Sequence, residues 1–179
     1  MRLPYPENMQ QRSDMKSEKR ITILGLGNIL LQDEGFGVHF VNWFSRRYVL
    51  PESVCIIDGG TLGYGLLETV SACDVLIIVD VIKADDTPGS LYRFSRREME
   101  QKRPAATSAH EVEFFDVLLK AELMGQCPEA VFLCVVPGCI DEMKMEMTGL
   151  LRGRFPDMER LLLHELAGLN VFPEGTCSA

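Results

Sequence analysis

Short apolar runs alternate with longer amphipathic stretches along the chain from residue 21 onward. The short runs are rich in valine, isoleucine and leucine and predict strands, whereas the longer stretches place apolar residues at helical spacing. Strands that alternate with helices in this way are typical of βαβ units around a mostly parallel sheet. The pattern therefore predicts one α/β domain, a twisted and mostly parallel five-stranded sheet flanked by helices on both faces.

The predicted strands lie at residues 21–24, 54–57, 75–79, 90–94 and 131–136, and the first three predicted helices at residues 36–47, 64–72 and 111–124. Pro156 suits the first turn of a last helix. Ser108 and Glu111 have the spacing of a capping box that opens the third helix. The polar stretch 98–109 before that helix is predicted as an exposed loop.

The chain divides into three predicted regions. Residues 1–20 are a polar tail that lacks the apolar segment of a secretory signal. Residues 21–170 form the predicted domain, and residues 171–179 form a short C-terminal tail.

Composition excludes several functional classes. With 46% hydrophobic and 25% charged residues the chain has an ordinary globular composition. The formal net charge of -8 would repel phosphate backbones, so nucleic acid is not the predicted partner. No apolar run approaches the roughly 18 residues of a membrane span. The six cysteines show no CxxC spacing, so most are interpreted as reduced packing residues of a soluble, cytoplasmic protein.

Polar residues follow the first three predicted strands, at the edge where open α/β sheets bind their ligands. Asp33 and Glu34 come after strand one, Asp58 after strand two and Asp80 after strand three. His110 stands at a helix start and is the histidine placed to reach them. Two carboxylates and an imidazole form an oxygen and nitrogen set that suits a borderline divalent ion such as zinc or nickel.

The segment that begins at Gly25 resembles the start of a dinucleotide-binding loop, with GxG directly after a strand. Asp33 and Glu34 then occupy the helix N-terminus, where they would repel a pyrophosphate and favour a cation. A structural alternative stays open from spacing alone, because acidic residues also stabilise the positive end of a helix without binding anything.

Other interpretations of single residues also stay open. Asp58 before two glycines can be a turn former, and Asp80 can be a solvated strand-end carboxylate. His39 and His164 fall inside predicted helices and are interpreted as structural or solvated. Cys139 after Pro137-Gly138 could act as a nucleophile with His110 as base, although no motif around it supports activation.

The strongest motif in the chain is a run of glycines and acids after the first strand, which reads Gly25-x-Gly27-Asn28-x-Leu30-x-x-Asp33-Glu34-Gly35-x-Gly37. It is followed in order by Asp58-Gly59-Gly60-Thr61, by Asp80 at the end of an apolar strand, and by His110 behind Ser108. Over residues 21–169 this arrangement resembles the hydrogenase maturation endopeptidases, which trim the large subunit of nickel-iron hydrogenases. One mild departure is Val81 after Asp80, where the family often has alanine.

The resemblance implies that Glu34, Asp80 and His110 bind nickel, for which zinc or cadmium can substitute. It implies as substrate a hydrogenase large-subunit precursor whose C-terminal extension is removed once nickel has been installed. Asp33 and Asp58 are predicted as catalytic residues, either orienting groups or bases. Whether the metal acts in catalysis or serves as a recognition signal stays open. A non-hydrolytic nickel chaperone and, less favoured, a dinucleotide-binding protein are the alternative functions.

Overall fold

The computed structural model describes residues 18–102 and 109–176, with the backbone alone for residues 102 and 109–113. The strands are β1 Ile21–Leu26, β2 Tyr48–Val49, β3 Val54–Gly60, β4 Val75–Val81, β5 Leu91–Ser95, β6 Glu129–Val135 and β7 Glu174–Gly175. The α-helices are α1 Phe36–Ser45, α2 Leu67–Ala72, α3 Arg96–Lys102, α4 Ala109–Leu123, α5 Gly149–Arg152 and α6 Phe155–Gly168. Short 3-10 helices at Gln32–Gly35 and Gly63–Leu66 lead into α1 and α2.

The main sheet has five strands in the order β3-β1-β4-β6-β5. The first four of these are parallel, and β5 pairs antiparallel with β6 at the edge. After β1 the chain crosses to β3 on one side and then returns to β4 on the other, so the strand order reverses at β1 and β4. A reversal of this kind opens a crevice above the carboxyl ends of the two central strands.

Alternate side chains of the central strands point to opposite faces of the sheet and pack in two separate hydrophobic cores. On one face Ile77 and Val79 of β4 pack with α1 and α6. On the other face Leu76 and Ile78 of the same strand pack with α2 and α4. Every residue of β4 is buried, as expected for a parallel strand covered on both sides. The predicted α/β fold with helices on both faces is confirmed.

Several predicted boundaries were wrong. The segment 98–109 was predicted as a loop, but α3 extends to Lys102 and α4 begins at Ala109; residues 103–108 lie outside the described residues. An ion pair between Arg96 and Glu100, one turn apart, stabilises α3. Asp58 was placed in a turn, yet it lies within β3 opposite Gly25 of β1. The strand continues because the parallel ladder supplies its hydrogen bonds as far as Gly60, which has a φ of 48°.

The two short strands at the periphery were not predicted, because two residues are too few to show an alternating pattern. The short strands β2 and β7 pair antiparallel, so Glu174 and Gly175 lie against Tyr48 and Val49. The predicted capping residue Ser108 lies outside the described residues. Within the ranges that the structure describes, no helix is both long and apolar enough to cross a membrane.

Candidate active site

The carboxyl edge of the sheet brings the predicted acidic residues to one region. Asp80 is the second-last residue of β4 and is only 5% exposed. It has the same parity along the strand as Leu76 and Ile78, so it points toward the face that α4 covers. Asp80 is therefore a buried carboxylate on the face of the sheet that α4 covers, which excludes the alternative of a solvated strand end.

Glu34 lies in the 3-10 helix between β1 and α1, which packs beside β4. Glu34 is only 7% exposed. The helix can approach β1 this closely because position 27 has no side chain: a Cβ on Gly27 would lie 1.9 Å from the carbonyl oxygen of Glu34, and its φ is 132°. The second glycine of the motif thus positions the helix that bears Glu34.

His110 is the second residue of α4, and its side chain lies outside the described residues. The position of α4 follows from its backbone. The helix leads through a short connection into the amino end of β6, and β6 runs parallel to β4. The C-terminus of α4 is therefore at the amino edge of the sheet, and its 15 residues span about 22 Å, which returns the N-terminus to the carboxyl edge. The backbone of His110 therefore lies in the first turn of α4, at the edge and on the face of the sheet where Asp80 lies.

Asp33 is fully buried and accepts four hydrogen bonds from a distant part of the chain. The backbone N–H groups of Gly138 and Cys139 and the hydroxyl of Thr148 donate to Oδ2, each at 3.0 Å. The backbone N–H of Thr148 donates to Oδ1 at 2.8 Å. A buried carboxylate is costly unless it is hydrogen-bonded, and these four donors meet that requirement.

Asp58 differs from the other acids because it is exposed. One of its oxygens accepts a hydrogen bond at 3.0 Å from the side-chain amide of Asn42 on α1. It lines a pocket of about 320 Å³ together with Asn28, Leu30 and Thr61. Asp58 is thus held in one orientation at the mouth of a cavity beside the first glycine loop.

A larger pocket of about 540 Å³ lies between α1, α6 and the segment 145–147. His39 and Trp43 form one wall, and Met147 and Phe155 form another. Among the described residues, no group forms a hydrogen bond with the buried ring nitrogen Nε2 of His39. His164 is exposed on α6. The ring of His39 packs against Gly35, where a Cβ would lie 3.3 Å from Nε2, so His39 stands beside the residue that follows Glu34.

Where side chains are described, no three His, Cys, Asp or Glu residues lie close enough together to hold a metal ion. The three predicted metal ligands are Glu34, Asp80 and His110, and the side chain of His110 lies outside the described residues. The five cysteines of the described ranges are free thiols; Cys73 and Cys134 are buried, whereas Cys55 is exposed.

Thr148 was not singled out from the sequence, although a signal for it exists. It is the N-cap of α5, and its hydroxyl accepts from the backbone N–H of Leu151 at 3.3 Å. A threonine before Gly149 and two leucines is a recognisable helix start. The sequence carries no sign that the same hydroxyl also reaches Asp33.

The fold and the site define a small α/β protein with buried carboxylates at the switch point of a parallel sheet. A family model described as hydrogenase maturation protease (HycI) matches residues 38–165 of the chain, beginning just after Glu34. The chain belongs to the hydrogenase maturation protease family.

Individual relatives agree with this assignment. The hydrogenase expression/formation protein HupD of Bradyrhizobium diazoefficiens is 41% identical over 117 residues, which cover 65% of this chain and 61% of that protein. The hydrogenase 2 maturation protease of Escherichia coli is 36% identical over 124 residues, covering 68% of this chain and 76% of the relative. The structure of the hydrogenase maturating endopeptidase HybD from E. coli aligns with a TM-score of 0.84 at 30% identity, covering 89% of this chain and 99% of that one. This chain therefore spans less than two thirds of the HupD relative.

Proposed function

We propose that this protein is an endopeptidase that removes the C-terminal extension from a nickel-loaded hydrogenase large-subunit precursor. Membership in the hydrogenase maturation protease family supports the reaction class. The observation that carries the proposal is the burial of Glu34 and Asp80 at the carboxyl edge of the sheet, near the first turn of α4, which contains His110.

The residues present suit a divalent cation. Buried carboxylates are stabilised by a positively charged or hydrogen-bonding partner, and a cation supplies positive charge directly. Two carboxylates and one imidazole match the oxygen and nitrogen ligands of nickel and zinc in proteins. Glu34, Asp80 and His110 would hold the ion. In this proposal nickel arrives as part of the substrate, and zinc or cadmium can take its place on the three ligands.

Nickel in the precursor would then act as a recognition signal. Cleavage would depend on metal loading because a precursor without nickel offers no ion for the three ligands to grasp. A bound metal ion can also polarise a carbonyl group or lower the pKa of a water molecule.

The two other acids have distinct proposed roles. Asp58 is exposed, lines the 320 Å³ pocket and is oriented by Asn42, so it is the better placed to orient or deprotonate a water molecule. Asp33 has both oxygens engaged by four donors, which suits an orienting role rather than that of a base.

A processing assay tests the proposal. The purified protein is incubated with its large-subunit precursor, with and without nickel, and the subunit mass is measured before and after. We expect loss of the C-terminal extension only from nickel-loaded precursor. His110→Ala and Asp80→Asn should abolish the mass change while circular dichroism stays that of the wild type.

His164→Ala is the matched control for the histidine substitution, because His164 is exposed on α6 away from the carboxyl edge. It should process precursor at the wild-type rate. Undiminished cleavage by both His110→Ala and Asp80→Asn would remove the three ligands from the mechanism. Transfer of nickel without any loss of peptide mass would instead identify a nickel chaperone.

A further inference from the structure

Asp33 connects two parts of the chain that are more than 100 residues apart. Its carboxylate binds Gly138 and Cys139, at the start of the segment that follows β6, and Thr148 at the end of that segment. The single buried side chain therefore holds both ends of the segment 138–148.

The backbone strengthens the same connection. The N–H of Gln32 donates to the carbonyl of Lys144 at 2.7 Å, and the N–H of Asp33 donates to the carbonyl of Cys139 at 3.0 Å. Leu31 and Lys144 form an isolated parallel bridge. The 3-10 helix that bears Glu34 is thus bound on one side to the segment 138–148, while on the other side it approaches Gly27.

The hydroxyl of Thr148 forms two hydrogen bonds, one as donor and one as acceptor. It donates to Asp33 Oδ2 at 3.0 Å and accepts from the N–H of Leu151 at 3.3 Å. The hydroxyl therefore joins the start of α5 to the residue directly before Glu34. Asp33 is adjacent to Glu34 in a helix of one turn, so a rotation of Asp33 about the helix axis would displace Glu34 as well.

We infer that Thr148 is a positioning residue, which acts through Asp33 to hold the carboxylate of Glu34 in place for a divalent cation. The inference rests on the proposed function, in which Glu34 is a metal ligand. Residues that orient metal ligands from behind commonly affect metal affinity by about 10–100-fold when they are substituted. Thr148 does not touch the ion in this scheme.

The test compares Thr148→Val with Thr148→Ser. Valine has the shape of threonine without the hydroxyl, whereas serine keeps the hydroxyl and loses a methyl group. Binding of Ni²⁺ alone is measured by isothermal titration calorimetry well below the unfolding temperature. We expect about tenfold weaker Ni²⁺ binding by Thr148→Val and binding within twofold of the wild type by Thr148→Ser.

Amide hydrogen exchange supplies a readout that needs no metal. The N–H groups of Gly138, Cys139 and Thr148 all donate to Asp33. In Thr148→Val they should exchange faster than in the wild type, whereas in Thr148→Ser their rates should be preserved. Asp33→Asn would replace one acceptor oxygen with an NH₂ donor that faces buried N–H or O–H donors and could prevent folding, so the substitutions at Thr148 are the sharper test.

Thr176→Val is the matched control. Its hydroxyl donates to the carbonyl of Arg46 at 3.1 Å, just after α1 ends at the opposite edge of the sheet. The Thr176→Val variant also loses a threonine hydroxyl, far from Asp33, and should bind Ni²⁺ like the wild type. Equal losses in Thr148→Val and Thr176→Val, or equal losses in Thr148→Val and Thr148→Ser, would overturn the inference.

Wild-type affinity in Thr148→Val would also overturn it, as would a wild-type protein that binds no Ni²⁺. Processing of precursor by the same wild-type preparation separates these results from failure of the proposed function. A wild type that cleaves precursor, with Thr148→Val unchanged in Ni²⁺ affinity, would refute the positioning role alone.

Discussion

Gly37 of α1 lies so close to Val79 of β4 that a Cβ on Gly37 would be 2.1 Å from the Val79 carbonyl oxygen. The same Cβ would be 2.4 Å from the carbonyl oxygen of Leu26. The last glycine of the motif therefore lets the first turn of α1 rest on two strands at once. Because Val79 immediately precedes Asp80, this contact sets the height of the helix relative to the site.

Gly37→Ala should destabilise the protein strongly. Neither backbone carbonyl can move without disturbing a central strand, and overpacking a tight core commonly costs about 1–3 kcal/mol. We expect a loss at the upper end of that range in the free energy of unfolding, measured by urea denaturation. Gly168→Ala is the matched control, because a Cβ on Gly168 meets nothing within 4 Å. A Gly37→Ala protein as stable as the control would contradict the packing described here.

Asp74→Asn should reduce stability at neutral pH but not in acid. Arg20 donates to the Asp74 carboxylate from its backbone N–H at 2.8 Å and from its guanidinium at 3.2 Å. These hydrogen bonds lower the pKa of Asp74 below its usual range. The pKa of Asp74 is lower in the folded protein than in the unfolded chain. The ionised carboxylate therefore stabilises the fold fully above about pH 3.9, and this stabilisation is lost as the pH falls through the lower folded-state pKa.

Denaturation midpoints of the wild type and Asp74→Asn, compared between pH 6 and pH 3, test this linkage. The difference should shrink as pH falls and should also shrink in 1 M salt, because both groups are solvent-exposed. A difference that is the same at every pH would show that the charge of Asp74 contributes nothing.

Asp58→Asn should lower the rate of processing by about 100-fold or more if Asp58 is the base, since general bases commonly contribute 10²–10⁴-fold. Asn42→Ala removes the 3.0 Å hydrogen bond to Asp58 but leaves the carboxylate. It should therefore reduce the turnover rate less than Asp58→Asn does. Mass spectrometry under single-turnover conditions gives both rates, and a wild-type rate in Asp58→Asn would exclude Asp58 from the reaction.

The cysteines should differ sharply in reactivity toward a thiol reagent. Burial raises the pKa of the Cys73 thiol, so little of it is thiolate at neutral pH. Cys55 is exposed on β3. In the native protein we expect rapid labelling of Cys55 and slow labelling of Cys73, identified by peptide mass mapping. Cys55→Ser should remove its labelled peptide and leave the slow rate of Cys73 unchanged, whereas rapid labelling of Cys73 would indicate that its environment opens readily.

Much of the fold could be predicted because its signal is local. The apolar run before Asp80 predicted a central parallel strand at residues 75–79. The observed strand β4 is only two residues longer and ends at Val81. The helix that begins at Phe36 was predicted from its periodicity and ends at Ser45. By contrast α3 was missed, since a polar and charged stretch such as 96–102 can form an exposed helix as readily as a loop.

The sequence by itself placed acidic residues after the first strand and at the end of the apolar strand 75–79, and a histidine at the start of the helix that leads to β6. Only the tertiary structure decided that Asp33 is enclosed by donors as far as 115 residues away, while Asp58 stays exposed. The physical reason is that apolar periodicity depends on neighbouring residues alone. The hydrogen-bond partners of a buried carboxylate depend on which distant segment the fold places against it. A local sequence pattern does not predict those partners.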